Sequence, residues 1–305
     1  MRIVSFLGAV TISGCVLCGV PAADGSANAQ TAATAPPASS SVPMALPRGR
    51  VYLFRGALGL IFSRGMDKLA KQIEEAGVPV DVNEFTVCPF VAERAIREYR
   101  QDPAPITLIG HSMGGRCALE FAEKLQAENI PVSLVVTIDP AHLMPKLPNN
   151  VERYMNIFLA GDVLGGGDVS PEKDYPGHFA SFDLSKLKKV LHINIDKMDI
   201  IHTQLLTKIL QIPETPAKLE GESVPIRYVV PPDATVELWD SGMPAFVRAG
   251  DTLETIAATY SVPLWSLTQI NQIPEGAALV ANQRVIVPRN LVPLAAVTGQ
   301  SPPKR

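Results

Sequence analysis

The stretch GHSMGG, residues 110 to 115, places Ser112 between glycines at the end of an apolar run. The run PITLIG, residues 105 to 110, predicts a short buried strand, and the residues that follow Ser112 have the spacing of an amphipathic helix. A serine in such a strand-to-helix turn takes a strained backbone conformation, and the flanking glycines let strand and helix approach until the hydroxyl is exposed. Ser112 is therefore a candidate nucleophile, and the N–H groups at the helix start can stabilise an oxyanion.

From Arg50 onward, short apolar runs alternate with helical patterns such as GMDKLAKQIEEAG and VAERAIREYR. This alternation predicts an α/β fold with a mostly parallel sheet flanked by helices. In such a sheet, chemistry takes place outside the carboxyl ends of the strands. The predicted strands are RVYLFRG (50–56), VPVDVNEF (78–85), PITLIG (105–110), VSLVVTID (132–139), RYMNIFLA (153–160) and KVLHINID (189–196).

In this position the GHSMGG stretch resembles the nucleophile elbow of the α/β-hydrolases, and of lipases and thioesterases in particular. The resemblance covers about residues 48 to 215 and implies a minimal, cutinase-like hydrolase domain without a large lid. It also implies an oxyanion hole made by the backbone N–H of Met113 and a second N–H from the loop after the first strand, at Ala57 or Leu58.

A serine hydroxyl is a weak nucleophile until a base removes its proton, so a histidine must lie within hydrogen-bond reach. The family order of serine, acid and then histidine favours His202, which follows the last predicted strand and precedes the last helix of the domain. His178, in the loop DYPGHFASF, is the alternative base. His192 lies inside the predicted strand KVLHINID, where a structural role is the usual one.

Two aspartates are candidates for the acid that holds the histidine in its tautomer and stabilises its charged form. Asp139 ends the run VSLVVTID, and Pro140 is expected to keep it extended, so that its carboxylate projects at the carboxyl edge of the sheet. Asp162 follows the next strand and is the alternative acid. The resulting mechanism requires no metal and no organic cofactor.

A proline-rich connector, residues 216 to 242, reads as a linker that few contacts should cross. After it, GDTLETIAATYSVPLWSLTQIN followed by VIVP predicts a small βααβ unit, in which Asp251 caps the first helix and Glu254 completes a capping box. This segment resembles a LysM domain over residues 243 to 290. LysM domains bind N-acetylglucosamine-containing glycans, chiefly peptidoglycan, and the resemblance implies glycan contacts from Gly250, Asp251, Thr252, Leu253, Ile273 and Pro274.

The first 29 residues have the layout of a secretory signal peptide. Arg2 precedes an uncharged apolar stretch, and Ala27-Asn28-Ala29 offers a cleavage site. The segment ISGC also resembles a lipobox, which implies as an alternative a lipid anchor on Cys15. Both interpretations predict an exported protein of the periplasm or cell envelope.

The composition fits this interpretation. Of the 305 residues, 47% are hydrophobic, enough for a sizeable core, and the net charge of −3 offers no positive field for nucleic acid. Beyond the signal segment, Cys88 and Cys117 could pair in an oxidising compartment. Residues 30 to 47 predict a flexible tether, and residues 291 to 305 predict a tail.

Together these features predict an exported serine hydrolase of the lipase or esterase type, which cleaves acyl esters and is held at peptidoglycan by a LysM module. Two alternatives stay open. One is an esterase that removes O-acetyl groups from peptidoglycan itself. The other is a non-catalytic wall-binding protein with a vestigial hydrolase domain.

Overall fold

A computed structural model describes residues 49–57, 59–215 and 222–291 of the chain. The predicted signal peptide and tether, Cys15 among them, lie outside the described residues, as does the predicted tail beyond residue 291. Within the described ranges, no helix has the length and the apolar character that crossing a membrane requires.

Seven strands form one sheet: β1 (Arg50–Arg55), β2 (Val80–Glu84), β3 (Ile106–His111), β4 (Leu134–Ile138), β5 (Arg153–Phe158), β6 (His178–Asp183) and β7 (Ile226–Val229). Their order is β2-β1-β3-β4-β5-β6-β7, and every neighbouring pair is parallel. The predicted α/β fold is confirmed. The carboxyl ends of these strands therefore meet at one edge, where Ser112 follows β3 and Asp139 follows β4.

Helices cover both faces of the sheet: α1 (Gly59–Phe62), α2 (Arg64–Glu75), α3 (Cys88–Gln101), α4 (Met113–Ala127), α5 (His192–Ile195) and α6 (Asp199–Gln211), with short 3₁₀ turns at Phe85–Val87 and Ile212–Glu214. Leu69 of α2 and Leu205 of α6 lie in one apolar core, and Ala92 of α3 and Phe121 of α4 lie in a second one. Each face of the sheet is thus buried by its own pair of long helices.

Two segments differ from the predicted strand pattern. The run KVLHINID contains the short helix α5 instead of a strand, because the side chain of Asn194 accepts the N–H of Leu191 and initiates a helical turn. The segment around His178, predicted as a loop, is strand β6, whose six residues are all buried. Its polar residues conceal the hydrophobic pattern of the strand, because they are buried inside the protein rather than solvated.

The C-terminal unit has the predicted βααβ order: β8 (Ser241–Phe246), α7 (Leu253–Tyr260), α8 (Leu264–Asn271) and β9 (Arg284–Arg289). The two strands pair antiparallel, and the unit has its own apolar core. Thr252 rather than Asp251 caps α7, since Thr252 Oγ1 accepts the N–H of Thr255 and Thr255 Oγ1 accepts the N–H of Thr252. Asp251 instead accepts the N–H of Arg248.

The connector is predicted as a linker over residues 216 to 242, and its described part, residues 222 to 242, belongs to the folded body. It contributes β7, which pairs with β6 and forms an edge of the sheet. Gln269 of α8 covers this edge: its Oε1 accepts the N–H of Val229 at 3.0 Å, and its Nε2 donates to the Val229 carbonyl at 2.9 Å. An open strand edge exposes unpaired backbone N–H and C=O groups. The side-chain amide of Gln269 satisfies those of Val229.

An aromatic cluster joins the α/β domain to the C-terminal unit. The ring of Trp265 on α8 lies 5.4 Å from that of Tyr228 on β7 and 5.9 Å from that of Trp239 in the connector, measured between ring centroids. Trp239 is only 1% exposed. The expectation that few contacts cross the connector is therefore wrong, because large apolar rings bury their surface against each other there.

We expect Trp265→Ala to destabilise the whole chain. Trp265 is partly buried against the core, so its removal should cost about 3 kcal/mol, the low end for a buried aromatic side chain. This corresponds to a fall in Tm of about 6 to 12 °C for a chain of this size. Calorimetry should show one cooperative transition, shifted as a unit. Tyr260→Ala, which removes an aromatic ring that is 40% exposed on α7, is the control and should change Tm far less. A separate, unshifted transition of the α/β domain would contradict the shared core.

Candidate active site

Ser112 lies in a sharp turn between β3 and α4, with φ of 56° and ψ of −124°. This conformation is rare for a residue other than glycine and stores strain. Glycine is required on both sides: a Cβ atom at Gly110 would lie 2.0 Å from the carbonyl oxygen of Gly114, and one at Gly114 would lie 2.2 Å from that of Phe54. The close contact of β1, β3 and α4 therefore holds the serine at the carboxyl edge of the sheet.

Ser112 lines a cavity of about 300 Å³. Most of the other side chains around it are apolar, and the described lining contains no lysine, arginine or carboxylate. The lining residues are Ala57, Ser63, His111, Ser112, Met113, Ala141, Leu164, His192 and Ile193. An ester group in this cavity would meet Ser112 and His192 in a mainly apolar environment.

His192 shares the cavity with Ser112 and is hydrogen-bonded to Asp139. Its Nδ1 lies 2.7 Å from Asp139 Oδ2, and its side chain is 10% exposed. A proton on Nδ1 that is donated to this carboxylate leaves Nε2 as an acceptor. Ser112 Oγ has no hydrogen-bond partner among the described residues, as is common for a nucleophile before substrate aligns it with its base.

Asp139 is completely buried and its carboxylate makes three hydrogen bonds. Besides the one from His192, Oδ1 accepts the N–H of Leu159 at 3.0 Å and the N–H of Gly166 at 2.8 Å. The backbone is not extended as expected before Pro140, because φ of Asp139 is 40°. This turn directs the carboxylate toward His192, and the two N–H groups hold it there.

The structure does not bring the predicted base, His202, to the serine. His202 is completely buried on α6, its Nε2 lies 2.6 Å from the carbonyl oxygen of Asp196, and it is not among the residues that line the cavity. Burial lowers the pKa of its imidazole, and Nδ1 has no partner among the described residues. The geometry therefore contradicts the placement of the base at His202, because α5 carries His192 to the cavity one element earlier in the chain.

The alternative base, His178, lies at the amino end of β6, whereas Ser112 and Asp139 lie at the carboxyl ends of their strands. Its Nδ1 is 3.0 Å from the hydroxyl oxygens of Ser241 and Ser223. His178 is therefore a buried histidine with a structural environment on the far edge of the sheet.

The alternative acid, Asp162, lies close to the Asp139–His192 pair but does not bond to the imidazole. Its Oδ1 accepts the N–H groups of Leu164 and Gly165 and so forms a turn beside the pair. Side-chain ligand atoms of Asp139, Asp162 and His192 lie within 4.8 Å of one another, a grouping that could hold a metal ion. Because each of the three is engaged in hydrogen bonds that position the pair, the arrangement fits acid–base chemistry.

Two backbone N–H groups beside Ser112 fit the predicted oxyanion hole. Those of Met113, the first residue of α4, and of Ala57 have no acceptor within the described residues, and both residues line the cavity. The N–H of Gly56 is engaged, since it donates to Ser63 Oγ at 3.1 Å. Leu58, the other predicted donor, lies outside the described residues.

The predicted glycan-binding residues fall into two groups. Gly250, Thr252 and Pro274 are exposed, and Asp251 is half-buried. Leu253, by contrast, is 1% exposed and lies in the core of the C-terminal unit, and Ile273 packs against that core. Their side chains therefore contribute to the apolar core of the unit.

Comparisons with known proteins agree with the two-part architecture. Residues 91–153 match the family model of the thioesterase domain, and residues 247–288 match that of the LysM domain. A search of curated proteins gave no match. A solved structure from Xanthomonas campestris pv. campestris, described as a candidate hydrolase of the alpha/beta superfamily, is 19% identical over 41% of this chain and 77% of that chain, with a TM-score of 0.28. The chain thus matches the thioesterase-domain model over part of its α/β domain and the LysM model over most of its C-terminal unit.

Proposed function

We propose that this protein is an exported serine hydrolase that cleaves acyl esters or thioesters and is held at peptidoglycan by its LysM domain. The observation that carries the proposal is the placement of Ser112, in its strained turn, and of the hydrogen-bonded pair His192–Asp139 around one cavity. This is the arrangement that activates a serine hydroxyl for nucleophilic attack.

In the proposed mechanism, Ser112 Oγ attacks the acyl carbonyl carbon while His192 Nε2 takes the hydroxyl proton. Asp139 stabilises the imidazolium, and the N–H groups of Met113 and Ala57 stabilise the oxyanion. His192 then gives the proton to the leaving alcohol or thiol. Water, deprotonated by His192, hydrolyses the acyl enzyme and restores Ser112.

The cavity supports an apolar acyl group as the preferred substrate part. Its volume of about 300 Å³ is many times what one water molecule requires. An acetyl group would leave most of it empty, whereas a chain of several carbons would replace water against Ala141, Leu164 and Ile193. Apolar surface removed from water is the main source of acyl-chain selectivity here.

Two features support a location outside the cytoplasm. The LysM family binds cell-wall glycans, and the exposed residues Gly250, Thr252 and Pro274 remain available to a glycan. Cys88 and Cys117 form a disulfide that joins α3 to α4, with both cysteines buried. Structural disulfides persist in oxidising compartments such as the periplasm, so the bond agrees with the signal peptide predicted for residues 1 to 29.

A panel of p-nitrophenyl esters from acetyl to octanoyl tests the substrate assignment. We expect kcat/KM to rise about fourfold for each added methylene, because each buried methylene contributes about 0.8 kcal/mol, until the chain fills the cavity. Hydrolysis of matching acyl thioesters should show the same trend. A flat profile, or a decline from acetyl onward, would contradict the apolar acyl site.

Further assays of the same protein distinguish the acyl hydrolase from the two alternative functions. An optimum at acetyl, together with acetate release from O-acetylated peptidoglycan, would favour an esterase that acts on the wall. Absence of turnover and of fluorophosphonate labelling, with retained sedimentation on insoluble peptidoglycan, would favour a non-catalytic wall-binding protein. The apolar cavity beside Ser112 supports the acyl hydrolase over both.

A further inference from the structure

We propose that His111 is a positioning residue that, through Ser63, connects the oxyanion loop to the backbone of the catalytic base. The inference rests on the proposed function, in which Ser112, His192 and Asp139 act together. His111 directly precedes the nucleophile, and its side chain contacts His192: the two imidazole centroids are 4.8 Å apart.

A continuous chain of hydrogen bonds runs through His111. The N–H of Gly56 donates to Ser63 Oγ at 3.1 Å, Ser63 Oγ lies 2.8 Å from His111 Nδ1, and His111 Nε2 lies 3.0 Å from the carbonyl oxygen of His192. Ser63 and His111 are each only 1% exposed. The chain is thus shielded from water, where hydrogen bonds are strongest and most sensitive to loss of a partner.

For a neutral His111, one pattern of protons satisfies this hydrogen-bond chain. The carbonyl of His192 accepts, so Nε2 of His111 carries the proton and Nδ1 is an acceptor. The hydroxyl of Ser63 then donates to Nδ1, and its oxygen accepts from Gly56. Burial, assisted by the neighbouring His192, lowers the pKa of His111 to about 3. His111 therefore remains neutral when His192 becomes an imidazolium during the reaction.

The two ends of this hydrogen-bond chain lie on opposite sides of the reacting centre. Gly56 precedes Ala57, whose N–H is the proposed second oxyanion donor, and a Cβ atom at Gly56 would lie 2.6 Å from that of Ser112. The carbonyl at the other end belongs to His192 itself. The chain thus fixes the distance between the oxyanion loop and the base, and a displacement of about 1 Å at such a centre can cost about 100-fold in rate.

The test compares Ser63→Ala with a matched control, Ser241→Ala, in the full chain. Both changes remove a buried serine hydroxyl that is hydrogen-bonded to a buried histidine, but Ser241 bonds to His178 on the far edge of the sheet. For p-nitrophenyl butyrate we expect Ser63→Ala to lower kcat about 10- to 100-fold, with KM changed less than about twofold. Ser241→Ala should leave kcat near that of the wild type.

Two further variants separate positioning from folding. Ser63→Thr keeps the hydroxyl and should restore most of kcat. His111→Phe keeps a ring but removes both hydrogen bonds. The double variant Ser63→Ala/His111→Phe should lose no more kcat than the worse single variant, because the effects of changes within one hydrogen-bond chain are not additive. Circular dichroism melts verify that each variant is folded.

The outcomes are distinguishable. A wild-type protein without turnover and without labelling at Ser112 would overturn the proposed function, and the inference with it. An active wild type with Ser63→Ala equal to it in kcat would overturn the inference alone. Equal losses for Ser63→Ala and Ser241→Ala would also overturn it, because the loss would then follow from destabilisation rather than from positioning.

Discussion

Ser112→Ala is expected to lower kcat/KM for p-nitrophenyl butyrate by about 10⁵- to 10⁶-fold, the loss typical of a missing nucleophile. The hydroxyl lies at the cavity rather than in either apolar core, so its removal should open no core cavity and leave Tm nearly unchanged. Covalent labelling by a fluorophosphonate probe should disappear with the activity.

Ser133→Ala is the matched control for this variant. Ser133 has the same exposure as Ser112, 9%, but it lies at the amino end of β4, away from the carboxyl edge of the sheet. The Ser133→Ala variant should react with the fluorophosphonate probe and hydrolyse the ester like the wild type. Retained turnover or retained labelling in Ser112→Ala would exclude Ser112 as the nucleophile.

The position of the nucleophile could be predicted from sequence because it depends on local features. The glycines around Ser112, the apolar run before it and the helical pattern after it all lie within about 20 residues. Their effect is steric: the space between β3 and α4 admits no side chain at Gly110 or Gly114. A short stretch of residues is enough to specify such a turn.

The base could not be predicted in the same way, because its position follows from the order of elements. The polar residues of HFASFD concealed strand β6, and the alternation of KVLHINID imitated a strand. Because KVLHINID was interpreted as the last strand, His192 was placed inside that strand. The base was therefore expected after it, at His202, before a long helix. The signal that could have located His192 was Asn194, whose side chain favours a turn at Leu191.

The role of the connector also depends on distant residues. Strand β7 lies within it, and the edge of this strand is satisfied by Gln269, 40 positions away from Val229. No pattern in the sequence around Trp239 predicts its contact with Trp265. Prolines make a segment resemble a linker, but residues that are distant in sequence stabilise this one by packing against it in the folded protein.

The strongest test of the revised site is His192→Gln compared with His202→Gln. Both histidines are buried, but only His192 is bonded to Asp139 and lines the cavity. We expect His192→Gln to lower kcat by about 10⁴- to 10⁶-fold, because members of a triad act as a unit. Asp139→Asn should cost about 10⁴-fold, since it favours the wrong tautomer of the histidine.

His202→Gln should keep kcat within about threefold of the wild type, because surface or core changes away from the reacting atoms act mainly on stability. Its amide can still donate to the carbonyl of Asp196, the one hydrogen bond described for the side chain of His202, so the fold should persist. The double variant Ser112→Ala/His192→Gln should be no slower than Ser112→Ala alone, since the base has no role without the nucleophile. Steady-state hydrolysis of p-nitrophenyl butyrate measures all five variants. A greater loss in His202→Gln than in His192→Gln would assign the base to His202 on α6 and exclude the arrangement proposed here.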